Sequence, residues 1–283
     1  MSKQFPRTTV AGVSMPRMII GSNWFFGSSH KSMALDREIM DKFSTVESFQ
    51  SVFKKFLDHG VDAFMACLSD NELFYNAVQE AEQRTGKKII IIDTPVLNVD
   101  DADEARREAE AKIKECARTG ATFCLPLHSC SEQLVDKNKG TMDRLPDYTK
   151  MIRDNGMIPG LSAHMAEIPL YCDENDYDVQ TYIQIYNCLG FLMQVEVETV
   201  AKIIHNAKKP VMVIKPMAAG RTTPYIGLNF VYNTLRECDM VTVGVNSTRE
   251  AEEVIEIGLA AIERRLPEIE GRNSTSRQKV LKW

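Results

Sequence analysis

"KIIIID", residues 88–93, is a run of four isoleucines that stops on an aspartate, and a helical stretch and a second apolar run follow it. The helical stretch, "ADEARREAEAKIKECARTG" (102–120), places acidic residues early and ends at Gly120. Early negative charge complements the helix dipole, and a terminal glycine accepts the left-handed conformation that stops a helix. The second run, "TFCLPL" (122–127), is again short and apolar. Strand-like runs joined by a stretch of that length read as a βα unit.

Working outward, the same unit recurs along the chain. "RMIIGS" (17–22) and "DAFMAC" (62–67) precede the stretch, and "MIPGLS" (157–162), "TYIQIY" (181–186), "PVMVIK" (210–215) and "MVTVGV" (240–245) follow. Eight such runs predict a (β/α)8 TIM barrel, an α/β fold, in one domain over 1–270 with a polar tail over 271–283. Ser44 and Glu47 have the spacing of a capping box before "SFQSVFKKFLDHG", which Gly60 closes. Ser247 or Thr248 is the expected N-cap of "STREAEEVIEIGLAAIERR", and Gly156 ends the helix before the fifth run. Pro169 and "CDENDYD" should shorten the helix of the fifth unit. "NWFFGSSHKSMALDREIMDKFST" (23–45) reads as a long loop without a strand, in which Trp24, Phe25 and Phe26 either close over a substrate or plug the barrel or a subunit contact. A doubly wound open sheet is the alternative, but "GSNWFFGSSH" is not the glycine-rich phosphate turn that fold needs after its first strand.

Composition narrows the function. Of 283 residues, 44% are hydrophobic, and the net charge is −5. That balance leaves no basic footprint for nucleic acid or an anionic membrane. The first residues lack a signal-peptide apolar core, and no run reaches the roughly 20 apolar residues that span a bilayer. Seven cysteines without a CxxC pair suit free thiols in a cytoplasmic protein. A homo-oligomer is compatible with all of this.

Four segments resemble the aldo-keto reductase superfamily: "MPRMIIGSNWFFG" (15–27), "DNGMIPGLSAHMAEIP" (154–169), "VMVIKPMAAGR" (211–221) and "MVTVGVNSTREAEEVIE" (240–256). The resemblance implies a TIM barrel, an NAD(P) cofactor held by the eighth unit, and an Asp–Tyr–Lys–His tetrad. The tetrad is largely missing. Its aspartate position falls near Met65 with no tyrosine following, its lysine position falls near Pro95, and only its histidine persists, as His128. Carbonyl reduction without the tyrosine and lysine lacks a proton source.

In such barrels the chemistry sits at the C-terminal strand ends, here Asn23, Cys67, Asp93, His128, His164, Asn187, Lys215 and Asn246. Asp93, His128 and His164 are candidate ligands for a divalent metal ion, against the alternative that the aspartate caps a loop and the imidazoles line a polar cleft. His128, Asp93 and Lys215 are candidate catalytic groups. A lysine ending a buried strand can lose its proton and form a Schiff base, against the alternative of a Lys–Asp pair across the mouth. Gly220, Arg221, Ser247 and Arg249 follow the last two strands, where barrels bind phosphate, and are the candidate cofactor-binding set. Asn23, Trp24, Asn187, Arg221 and Asn246 are candidate substrate contacts. His30 reads as solvent-facing, Glu196 and Glu198 as surface or helix-start charges, Cys124 as barrel wall and Cys130 as loop.

The expected function is a non-redox enzyme, an isomerase, lyase or hydrolase, metal-assisted or Schiff-base, acting on a small sugar-like, phosphorylated or carbonyl compound. The alternatives are an NAD(P)-dependent reductase with an altered proton donor, and a non-catalytic ligand-binding barrel.

Overall fold

The computed structural model describes residues 3–269; the polar tail expected over 271–283 lies outside the described residues. An antiparallel hairpin comes first, β1 (Arg7–Val10) and β2 (Val13–Pro16). Parallel strands β3 (Met18–Gly21), β4 (Ala63–Ala66), β5 (Ile90–Asp93) and β6 (Phe123–Cys124) follow. The fifth barrel strand is in two pieces, β7 (Ile158–Pro159) and β8 (Leu161–Ala163), and β9 (Tyr182–Ile185), β10 (Val211–Ile214) and β11 (Met240–Val243) complete the set. Among the described residues the sheet order is β7-β6-β5-β4-β3-β11-β10-β9-β8. Its two ends are the halves of one strand, so the sheet closes on itself as an eight-stranded barrel. All eight strands fall where the sequence placed them.

Gly160 separates β7 from β8. A Cβ there would meet the Thr181 carbonyl oxygen at 2.7 Å and the Leu125 side chain at 2.8 Å. Glycine is what lets the fifth strand press against both neighbours while it changes partner.

Helices α1 (Met33–Lys42), α2 (Val46–Asp58), α3 (Glu72–Thr85), α4 (Asp103–Arg118), α5 (His128–Ser131), α6 (Leu145–Asp154), α7 (Ile168–Glu174), α8 (Val197–Asn206), α9 (Pro224–Thr234) and α10 (Thr248–Glu263) occupy the outside and the mouth loops. None of the described helices is long and apolar enough to cross a membrane. Ser247 is the N-cap of α10, accepting from the Glu250 N–H at 3.2 Å. Pro169 sits in the first turn of a seven-residue α7, the shortened helix expected of the fifth unit. Glu196 and Glu198 are the N-cap and first turn of α8.

Two local expectations fail. The segment 23–45 is not all loop, because it contains α1, capped by Ser32. Only Ile39 of that helix is buried, so its apolar residues form no stripe for a sequence reading to find. The Ser44–Glu47 capping box is also not formed. Thr45 is the N-cap, Ser44 Oγ donates back to the Asp41 carbonyl, and Glu47 instead pairs with Arg84 of α3 at 2.6 Å.

Two apolar layers hold the barrel. The interior is filled by one alternate set of strand residues, including Ile19, Ala63, Ile92, Phe123, Ile183, Met212 and Met240. Val10 and Met15 of the hairpin belong to the same cluster, so the hairpin plugs the N-terminal end of the barrel. The opposite set, including Ile20, Phe64, Val213 and Val243, packs against the helices. Phe25 is 2% exposed and joins Phe43, Phe49, Phe53 and Phe74 there, at ring separations of 4.9 to 5.9 Å. Phe53 also meets Phe64 edge-on at 4.7 Å. Removing a ring at the centre of such a cluster leaves a cavity its neighbours cannot fill, so Phe53→Ala should lower unfolding stability by about 3–5 kcal/mol. Urea denaturation monitored by circular dichroism measures it; a loss below about 1 kcal/mol would show that the cluster collapses around the gap.

Candidate active site

The hairpin closes one end of the barrel, so the open end is the C-terminal mouth, and a cavity of about 750 Å³ occupies it. That volume lies within the range of small-molecule sites. Its wall is set by strand alternation. On β4 the interior residues are Ala63 and Met65, so Cys67, two further on, also faces the cavity. On β5 the interior residue is Ile92, so Thr94 faces the cavity and Asp93 faces the helices. Ser162 and His164 follow the same parity on the fifth strand, as do Ile214 on β10 and Thr242 on β11.

Lys215 is the exception. Val213 faces the helices, and simple alternation would send Lys215 the same way. Instead Lys215 has φ +58°, and its side chain lines the cavity. A left-handed backbone at a non-glycine residue costs on the order of 1 kcal/mol, and such strain is found where the surrounding structure demands it. Here it re-aims the amine into the mouth. Burial pulls the Lys215 ammonium below its usual pKa. Among the described residues its Nζ makes no hydrogen bond or ion pair, so the Lys–Asp pair considered from the sequence is not formed.

Two histidines stand beside it. His128 opens α5 and His164 follows β8, and their rings stack with centroids 3.7 Å apart and planes 13° from parallel. Both are half-buried. Burial lowers the His128 pKa; Glu132 opposes this and Lys215 adds to it. His164 is pushed down to about 3, by burial first and then by His128, Lys215 and His30. Glu132 holds the backbone that carries His164: its Oε1 accepts from the backbone N–H groups of His164 at 2.6 Å and Met165 at 2.8 Å.

The three-residue metal set is not brought together. Asp93 is 0% exposed behind the barrel wall, where its Oδ2 accepts from the Ser69 N–H at 3.1 Å. Its Oδ1 is buried without a hydrogen-bond partner among the described residues. The stacked imidazoles alone are also a poor chelate, because in-plane lone pairs of parallel rings run side by side and do not converge on one ion. Among the described residues no three His, Cys, Asp or Glu side chains could hold a metal ion. Asp93 likewise lies outside the group formed at the mouth by His128, His164 and Lys215.

The remaining candidates divide. Asn23 and Trp24 line the cavity, and Lys31 Nζ lies 5.5 Å from the Trp24 ring centroid. Asn187 is corrected to a structural role: it is 0% exposed, its Oδ1 accepts from the N–H groups of Leu189 and Phe191, and its Nδ2 donates to the Phe191 carbonyl. The Asn246 backbone is held by Glu250 and Lys42, and its side chain is not part of the cavity wall. Arg221 stacks on Phe191 at 3.8 Å outside the wall, while Gly220 is part of it.

A nicotinamide cofactor's phosphate does not fit the set Gly220, Arg221, Ser247 and Arg249. At the start of α10 Ser247 caps the Glu250 N–H, and the Glu250 carboxylate accepts from the Asn246 N–H at 2.7 Å. Glu250 and Glu253 both face the cavity, which puts negative charge where a phosphate would bind. Arg249 is exposed.

Cys67, expected at its strand end, is in the wall; sequence reasoning missed Thr94, Ser162, Thr242, Glu250 and Glu253, and counting by twos from the interior positions finds the first three. His30 is exposed, as expected, yet it also lines the rim. Burial raises the Cys67 pKa, and its Sγ donates to the Thr94 carbonyl at 2.9 Å, so this thiol stays protonated.

No family model matches the chain, and no curated protein matches its sequence. Solved structures do match its fold. A Pseudomonas aeruginosa protein put forward as an aldo-keto reductase superposes with a TM-score of 0.67 over 92% of this chain and 98% of its own, at 11% identity. An aldo-keto reductase from Klebsiella pneumoniae, solved with NADPH, gives 0.58 over 99% and 94% at 14% identity. Archaeal Rubisco gives 0.51 over 78% of this chain and 58% of its own, at 12% identity. The protein therefore carries an aldo-keto-reductase-like TIM barrel, and likeness at these identities speaks for the fold alone.

Asp93 generates a prediction about stability. Burial pushes its carboxyl up to about 6 from an ordinary 3.8, with the Ser69 N–H opposing. The folded state then binds more protons than the unfolded chain between those values, so stability falls as pH rises from about 4 to about 6 and stays lowered above. Asp93→Asn keeps an acceptor for Ser69 and removes the buried charge. It should be more stable than the parent at pH 8 by up to about 3 kcal/mol and nearly equal at pH 4. Urea denaturation at both pH values checks this, and equal stability at pH 8 would place the charge in a better-solvated environment.

Proposed function

We propose that the protein is a Schiff-base enzyme of the lyase or isomerase kind that acts on a small polyhydroxylated carbonyl compound at the mouth of the barrel. The observation that carries this reading is Lys215: a half-buried amine turned into the cavity by a left-handed residue, with no carboxylate paired to it. Burial lowers its pKa, which raises the share of unprotonated Nζ that attack requires.

The chemistry follows from the groups present. Nζ adds to the carbonyl carbon, and the carbinolamine loses its oxygen as water to give an iminium. The iminium withdraws electrons from the neighbouring carbon, so a carbon–hydrogen or carbon–carbon bond there can break heterolytically. His128, whose imidazole burial keeps neutral, takes the released proton and returns it to the enamine carbon. Water then adds to the iminium and frees Lys215. Ser28, Ser162, Thr94, Thr222, Glu250 and Glu253 in the wall suit a substrate carrying several hydroxyls. Among the described residues that line the cavity there is no tyrosine of the kind that protonates a carbonyl by the reductase route. Seven free cysteines support placing the protein in a reducing, cytoplasmic compartment.

Borohydride reduction in the presence of small aldehydes and ketones, followed by mass spectrometry, tests the reading. A reduced adduct on the peptide containing Lys215, absent in Lys215→Met, is the expected result. His128→Gln should keep the adduct but slow turnover of a productive substrate by about 10²–10⁴-fold. No adduct from any carbonyl compound, together with saturable NADPH binding by fluorescence, would replace this reading with the reductase one. No adduct and no NADPH binding would leave a ligand-binding barrel.

A further inference from the structure

The basic groups of the cavity lack a counter-ion, and the acids within reach of them are already engaged. His30, His128, His164 and Lys215 act on one another electrostatically across the mouth: Lys215 on all three histidines, His128 and His30 on His164. Two carboxylates act on this group, Glu132 on His128 and Asp36 on His30. Glu132 is turned to the N–H groups of His164 and Met165. Asp36 accepts from both the N–H and the Oγ of Ser29, at 3.0 and 2.5 Å. Neither carboxylate belongs to the cavity wall. Lys31 faces the same space from the segment between β3 and α1, beside Gly220, and Arg221 acts on His30 from the rim. Glu250 and Glu253 line the wall at the start of α10, and neither acts on any of the four groups. Cys67 remains a neutral thiol.

We propose that the substrate of this cavity carries an oxyanion, a carboxylate or a phosphoryl group, next to its carbonyl, and that His30, His164 and Lys31 receive it. The inference rests on the cavity being the reaction site of the proposed function, and it adds the substrate class. The anion supplies the charge that four crowded basic groups lack, and the hydroxyl-lined wall with its two glutamates is left for the rest of the molecule. Because the histidines are held neutral in the free protein, an anion that settles between them draws a proton onto the cluster. Binding is therefore coupled to proton uptake and tightens as pH falls.

Calorimetry with compounds that contain no carbonyl isolates this step from Schiff-base formation. Lactate, propane-1,2-diol and inorganic phosphate are titrated into the full-length protein at pH 6 and pH 8. Two buffers of different ionisation enthalpy are used, and lactate stays ionised throughout. Lactate should bind with net proton uptake and roughly tenfold or more tighter at pH 6 than at pH 8, the change expected for half a proton taken up. The diol, with the carboxylate replaced by a neutral group, should not bind over the same range. His30→Gln at the exposed rim and His164→Gln in the wall should each weaken lactate by about fivefold or more, with melting temperatures showing both variants folded. Phosphate binding more tightly than lactate assigns the oxyanion to a phosphoryl group, and the reverse assigns it to a carboxylate. Equal binding of diol and lactate, or anion binding without proton uptake that ignores both variants, overturns the proposal. Lactate binding without borohydride adducts would sink the Schiff-base reading alone. Adducts formed as readily by neutral aldehydes as by oxo acids, with no lactate binding, would sink this inference alone.

Discussion

Closing a sheet into a barrel gives every strand one face that looks inward and one that looks out, and side chains alternate between them with a period of two. That constraint decides what this molecule can present at its mouth. The interior below is sealed by Ile19, Ile92, Phe123 and Met212 together with Val10 and Met15 of the hairpin, so nothing reactive can be placed deeper. Only residues of inward parity at the strand ends, or residues that break parity, reach the cavity. Thr94 and His164 arrive by the first route and Lys215 by the second.

The fold was legible because it depends on patterns that survive in a single sequence. Apolar runs punctuated by Gly60, Gly120 and Gly156 mark the strands and helices without any knowledge of their partners. The hairpin at residues 7–16 was not legible: "RTTV" and "VSMP" are too short and too polar to stand out as strands, and they gain stability only by covering the barrel's end. Helix α1 escaped for a related reason, since its burial rests mainly on Ile39.

The site was legible only in part, and parity explains which part. Treating every polar residue at a strand end as a mouth residue captured His128, His164 and Lys215. The same rule wrongly included Asp93, whose neighbour Ile92 already occupies the interior and forces the aspartate toward α4. Asn187 and Asn246 fail differently. Beyond the last strand residue the chain turns, and Asn187 is used to close its own loop. Lys215 could not have been placed from parity at all. Its left-handed backbone is a product of the "KPMAAG" turn, in which Ala218, Ala219 and Gly220 also have positive φ.

That turn links the strain in the backbone to the chemistry at the mouth. Four left-handed residues within six positions are expensive for a chain to hold, and three of them are not glycine. An ordinary turn would leave Lys215 among the helices, where it could find a carboxylate. The strained turn instead carries the amine into a half-buried space already occupied by two stacked imidazoles, where burial lowers its pKa and its charge lowers theirs. A lysine that serves only stability gains from a nearby acid and from water, and Lys215 is denied the acid and much of the water. Backbone strain and burial therefore converge on one nitrogen: the first turns it into the cavity and the second lowers its pKa.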